Sequence, residues 1–243
     1  ETMRAALLKN NQETWAMMEE RRKLSASIAH DLRTPITVMK GYTEYLSHNV
    51  PLGRISEDKL MDTIHNLSLA TDRLEQYANQ VREIQAMDAI PVKPTACPLR
   101  EFFEEQEDEY TVLAQRHQLQ FSMDISGVPD FQVMLDGTLV HRMIDNVISN
   151  ALRFACHEIA LKAGWQEGIL TIQVYDDGAG FSEESLRSAT RPFYKENTEN
   201  DHFGLGLSIC NTLCQKQGGT LSLSNRNGAC VEMQIQAEKI DAD

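Results

Sequence analysis

From Leu60 to Val81 the residues Leu60, Ile64, Leu67, Thr71, Leu74, Ala78 and Val81 recur at alternating spacings of four and three. That is a heptad seam, a period an α-helix satisfies and a strand does not. Upstream, Arg4 to His48 holds one proline, no glycine before Gly41, and a run of Leu, Met, Ala, Glu, Arg and Lys, which reads as one long helix bent near Pro35. Turn chemistry at Asn49-Val50-Pro51-Leu52-Gly53, followed by Ser56 as the cap of the second helix, folds the two into a hairpin. A two-helix hairpin cannot bury an apolar stripe on both helices against itself. A homodimer that closes a four-helix bundle is the expected solution.

The pattern changes at Ala89-Ile90-Pro91-Val92-Lys93-Pro94. We read residues 1–90 as an all-α antiparallel hairpin with its incoming helix, 91–98 as a linker, and 99–243 as a second domain of alternating helices and strands. Helices are expected over Leu99–Gln115, Gly137–Ala155 and Leu205–Lys216. Strands are expected over Leu119–Ile125, Phe131–Leu135, Glu158–Lys162, Leu170–Tyr175, Thr220–Ser224 and Val231–Gln236. Helices and a mixed sheet in this order give an α+β two-layer sandwich. No internal repeat is evident.

With 243 residues and 42% apolar content, two cores are affordable to the chain. Its 36 acidic residues against 23 basic ones give a net charge of -13, which argues against a nucleic-acid partner, since phosphate affinity needs clustered Lys and Arg. No run approaches a membrane span, and Glu1-Thr2-Met3-Arg4 lacks the apolar stretch of a signal peptide. The 5 cysteines show no metal spacing and read as reduced thiols, Cys210 and Cys214 as core.

On the first helix, Leu24, Ile28, Leu32, Ile36, Met39 and Leu46 form one stripe, and His30 falls almost opposite it. An imidazole held by the neighbouring Asp31 is a competent nucleophile near neutral pH, and the same pair is equally an ordinary dipeptide on a wet helix face. Asn146 and Asn150, four residues apart, project from one helix face and offer neutral oxygens to Mg²⁺, or are simply surface amides; Arg153 lies one turn on. Asp176-Asp177-Gly178-Ala179-Gly180 ends a strand: a carboxylate that can accept from an exocyclic amine, or a tight turn. Gly204-Leu205-Gly206-Leu207 opens a helix whose free amides suit a phosphate, and the polar stretch Ser182–His202 has the length of a lid.

Taken together, these stretches resemble the cytoplasmic core of a bacterial two-component sensor histidine kinase: a dimerisation and phosphotransfer hairpin followed by an ATP-binding domain of the gyrase/Hsp90/histidine-kinase/MutL type. His30-Asp31-Leu32-Arg33-Thr34-Pro35 resembles the H box, Asn146 to Ala151 the N box, and Asp176 to Gly180 the first glycine box. Pro192-Phe193-Tyr194 resembles the F box, and Gly204 to Leu207 the second glycine box. The resemblance implies His30 as phosphoacceptor, Asp31 as its acid/base, and Thr34 in regulator dephosphorylation. It implies ATP held by Asp176, Gly178, Gly180, Arg153, Phe193, Tyr194, Gly204, Leu205 and Gly206, with Mg²⁺ at Asn146 and Asn150. A homodimer, a response-regulator receiver domain as partner, and a cytoplasmic position in a longer protein anchored in a bacterial inner membrane are implied too, with Glu1–Glu20 as the incoming signalling helix. One departure is His202, which stands where the second glycine box usually begins and implies a stiffer lid hinge or an imidazole contact to nucleotide.

Overall fold

The computed structural model describes residues 26, 29, 32–87, 90–195 and 204–240. The expected roles of His30, Asp31 and His202, and the segment Glu1–Glu20, lie outside the described residues. The chain divides into two compact units, Glu1–Gln85 and Ala86–Asp243.

In the first unit, α1 (32–49) passes through Pro35 without a break, and α2 spans Glu57–Met87. The turn between them is closed by Gly53 N–H to the Val50 carbonyl at 3.1 Å and Arg54 N–H to the Asn49 carbonyl at 3.1 Å. Along α1 the partly covered residues are Leu32, Pro35, Met39, Tyr42, Leu46 and Asn49, again a three–four alternation. Among the described side chains of α2 the covered positions are Leu60, Thr63, Leu67, Ala70, Leu74, Tyr77 and Val81, with Asn66 partly covered beside Leu67. Every second position of the expected seam is therefore displaced by one residue: Thr63, Ala70 and Tyr77 are buried where Ile64, Thr71 and Ala78 were expected. Small side chains at two of these positions let helices approach closely, and the Thr63 hydroxyl satisfies itself on the Lys59 carbonyl at 2.7 Å, so its polarity does not oppose burial. Ile64 is left 46% exposed on the flank, with Ile36 at 50% and Met61 at 61%.

In the second unit, a five-stranded sheet runs in the order β2-β4-β5-β7-β6, with β2 Gln120–Gly127, β4 Glu158–Gln166, β5 Ile169–Asp176, β6 Thr220–Asn225 and β7 Ala229–Gln236. Only the β2–β4 pair is parallel. α3 (Leu99–Arg116), α4 (Gly137–Phe154) and α6 (Gly206–Lys216) cover one face, which is the second layer of the sandwich. Alternation explains the burial: Leu170, Ile172 and Val174 of β5 face the helices, while Thr171, Gln173 and Tyr175 face away. α4 is the central helix, with Val140, Met143, Ile144, Val147 and Ile148 all nearly fully buried. Each such side chain contributes about 1.5–3 kcal/mol on leaving water, so the orientation of α4 is strongly fixed.

A smaller sheet joins β1 (Thr95–Pro98), β3 (Gln132–Leu135) and β8 (Glu238–Lys239). Part of the segment expected as a linker is thus a strand of the second unit, and Pro98 sits at its end, where the missing N–H costs least. Residues just before it are also tied down: Lys93 N–H donates to Asp136 Oδ2 at 2.8 Å, while Asp136 Oδ1 caps α4 at the Leu139 N–H. The β4–β5 hairpin runs longer than expected, leaving only Glu167 and Gly168, both with positive φ, in the turn. α5 (Glu183–Ser188) occupies part of the stretch read as an unstructured lid. None of the described helices is long and apolar enough to cross a membrane.

Candidate functional site

Asp176 is the last residue of β5 and is 8% exposed. Its Oδ1 accepts the Gly178 N–H at 3.0 Å and the Ala229 N–H at 3.4 Å; no hydrogen bond to Oδ2 is found among the described residues. Burial pushes its carboxyl above the usual aspartate value, against the pull of those two backbone donors. Gly178 is required by close approach, because a Cβ there would stand 2.1 Å from the Phe154 carbonyl oxygen at the end of α4. Gly180 turns the chain at φ 78°, braced by Asn225, whose amide accepts the Phe181 N–H and donates to the Phe181 carbonyl, each at 2.8 Å.

The other end of the site is the start of α6. Leu205, buried, caps it without a side-chain hydrogen bond, and among the described residues no acceptor is found for the first amides. Gly206 faces Asn146: a Cβ at Gly206 would meet Asn146 Oδ1 at 3.5 Å. Asn146 Nδ2 donates to the Arg142 carbonyl at 2.8 Å, which turns the oxygen, not the nitrogen, toward α6. Asn150, half-buried, follows one turn later on the same face of α4. Arg153 sets its guanidinium 5.2 Å from the centroid of the Phe154 ring; burial lowers its pKa, but an arginine stays cationic. From Asn146 to Phe154 the rise along α4 is about 12 Å. The helix is therefore a floor joining a carboxylate at one end to open amides and amide oxygens at the other.

Phe193 and Tyr194, in the stretch expected as a lid, come to the residue just before α6. The Phe193 N–H donates to the Gly204 carbonyl at 2.9 Å, and Gly204, at φ 67°, would carry a Cβ only 2.2 Å from the Tyr194 carbonyl oxygen. The Tyr194 hydroxyl lies 3.1 Å from the buried Ser185 Oγ of α5. Of the expected residues, Asn146, Asn150, Arg153, Asp176, Gly178, Gly180, Phe193, Tyr194, Gly204, Leu205 and Gly206 all lie in the second unit. Thr34 lies in the first, exposed on α1. Sequence reasoning passed over Ser185, Asn225, Phe154 and Asp177. Only the start of α5 carried a readable signal, since Ser182 followed by Glu183 and Glu184 is a helix N-terminus, and its hydroxyl accepts the Ser185 N–H.

Residues 20–90 match the family described as the His Kinase A (phospho-acceptor) domain, and residues 135–239 the Histidine kinase-, DNA gyrase B-, and HSP90-like ATPase. The sensor histidine kinase SpaK of Bacillus subtilis is 25% identical over 240 residues, which is 96% of this chain and 51% of that protein. The chain thus spans about half the length of this relative. Among solved structures, the histidine kinase ThkA in complex with response regulator protein TrrA aligns with TM-score 0.71 and 20% identity over 92% of this chain and 66% of that one. ShkA, solved at full length in complex with AMPPNP, aligns with TM-score 0.65 and 18% identity over 89% of this chain and 46% of that one. At these identities the structural likeness is one of fold.

Proposed function

The chain belongs to the sensor histidine kinases, and from that premise we propose that it moves the γ-phosphoryl group of ATP to an imidazole nitrogen of His30 and then to an aspartate of a separate response regulator. The observation that carries the reading is the meeting of Asn146 Oδ1 with Gly206 at the open start of α6, on the helix whose far end touches the Asp176 turn. Asp176 would read the adenine amine, and the α6 amides with Arg153 would hold phosphate oxygens. Two amide oxygens on one helix face fit a hard cation, so Asn146 and Asn150 would hold Mg²⁺. Bound there, the ion neutralises phosphate charge. Asp31 would hold one imidazole N–H so that the other nitrogen faces the donor. Because phosphoryl transfer passes through a loose transition state, positioning carries most of the catalysis.

The response-regulator partner is supported by ThkA, a relative in fold solved with such a protein. Thr34, four residues after His30 in the sequence and exposed on α1, would place water for removing phosphate from that partner. Thr34→Ala is expected to slow regulator dephosphorylation by about tenfold or more, the usual weight of one positioned polar group, while autophosphorylation stays near wild type. The check is parallel time courses of both reactions, and an equal loss in both refutes a separate role.

Homodimerisation is part of the proposal. α2 buries Thr63, Ala70 and Tyr77 within its own chain and leaves Ile64 and Met61 exposed beside them, a second apolar flank that a second copy would cover. Ile64→Glu is expected to convert the dimer to monomer in sedimentation at micromolar concentration. An unchanged mass overturns this surface. The cytoplasmic, membrane-anchored setting implied by the resemblance also belongs to the proposal.

A further inference from the structure

Two aspartates stand side by side at the end of β5, and the kinase reading uses only one. Asp176 is buried and holds its own turn. Asp177 points the other way, toward the loop that follows α4. Its Oδ1 accepts three consecutive backbone N–H groups, from Cys156 at 2.8 Å, His157 at 2.9 Å and Glu158 at 3.2 Å, and its Oδ2 lies 2.9 Å from His157 Nδ1. Consecutive amides converging on one oxygen form a nest, the backbone geometry that binds anions. Here the anion is the chain's own carboxylate. The donors, led by the His157 N–H, hold the Asp177 carboxyl well below the usual carboxylate range, which favours its charged form.

The nest begins two residues after Phe154, whose carbonyl oxygen presses on Gly178. Asp177 therefore ties the end of α4 to the turn that carries Asp176. Gly228 closes the opposite side, where a Cβ would come within 1.9 Å of the Asp176 carbonyl oxygen. These two restraints act on the turn that carries Asp176, at the end of α4, the helix that bears Asn146 and Asn150.

We propose that Asp177 is a positioning residue for nucleotide binding: by filling the nest at Cys156, His157 and Glu158 it fixes the spacing between Asp176 and the Asn146–Asn150 face of α4. The proposal rests on the reading of this site as an ATP site. It makes Asp177 a determinant of affinity, not of the chemical step, because both of its carboxylate oxygens are engaged by the chain's own Cys156, His157 and Glu158.

The test uses the full chain, with ADP affinity measured by calorimetry and KM and kcat measured for autophosphorylation. Asp177→Ala is expected to weaken ADP binding and raise KM for ATP by about tenfold or more, as several charge-assisted hydrogen bonds are lost, with kcat within about twofold. Asp177→Asn keeps an oxygen for the same amides and should bind within about threefold of wild type. Formate added to the Asp177→Ala chain should restore part of the lost ADP affinity by entering the nest, where equal ionic strength of chloride should not. Wild-type ADP affinity in Asp177→Ala overturns the proposal. So does an Asp177→Asn chain that melts like wild type yet binds as poorly as a disrupted site. If Asp177→Ala does not fold, Asp177→Asn decides: binding near wild type supports the proposal. Failure of the wild-type chain to bind ADP at all would instead overturn the ATP-site reading, and this inference with it.

Discussion

A chain carrying His30→Gln should incorporate no label from γ-labelled ATP, while wild type gains label that is stable to alkali and labile to acid. Glutamine keeps a polar side chain of similar reach but has no nitrogen lone pair able to accept a phosphoryl group at neutral pH, so the loss should be complete, down to background. In the sequence His30 falls almost opposite the apolar stripe of Leu24, Ile28, Leu32, Ile36, Met39 and Leu46, the placement an accessible acceptor needs. Ala26 and Thr34, four residues before and after it, are both exposed, whereas Leu32, Pro35 and Met39 are partly covered. Because the substitution removes the acceptor and changes no residue of the second unit, ADP affinity should be unchanged in the same preparation. Label that persists in His30→Gln sinks the assignment, and lost ADP binding would mean the substitution acts through folding.

What the sequence made legible was whatever depends on local pattern. Asn146 and Asn150 could be placed on one face of a helix from spacing alone, and the turns at Gly178 and Gly204 from composition. The two-layer architecture followed from the order of elements. What stayed hidden depends on contacts between residues distant in the chain. The seam on α2 is off by one at every second position because period alone cannot decide whether Ile64 or Thr63 faces inward; Ile64 is the more apolar, but the smaller Thr63 can hide its hydroxyl on the Lys59 carbonyl. β1 was unreadable because four residues ending in proline make a strand only when β3 is there to pair with them. Asp177 looked like a turn residue because its partners are backbone amides some 20 residues earlier, which carry no side-chain signature.

The second large effect is a change of base preference. Asp176 Oδ1 is occupied by the Gly178 and Ala229 amides, so an incoming adenine would meet the other oxygen, an acceptor, with its exocyclic amine. In Asp176→Asn the amide oxygen can keep the two backbone donors, and the nitrogen that replaces Oδ2 becomes a donor facing a donor. Losing a charge-assisted bond and opposing two N–H groups in a buried site costs about 3–5 kcal/mol. That corresponds to roughly two to three and a half orders of magnitude in ADP affinity, at about 1.4 kcal/mol per tenfold. Inosine diphosphate, with a keto oxygen in place of the amine, should behave oppositely: rejected by wild type, where oxygen meets carboxylate, and accepted by the variant. Acid adds an independent check. Since burial raises the folded-state pKa of Asp176, protonation stabilises the fold below the ordinary aspartate value, and this contribution is lost as pH rises through the raised one. Adenine binding needs the ionised form and so must run the other way, weakening as pH falls toward a midpoint above that of an ordinary aspartate. Asp176→Asn should erase this titration from the affinity profile, whereas a chain that keeps both its adenine preference and its acid limb would show that another group reads the base.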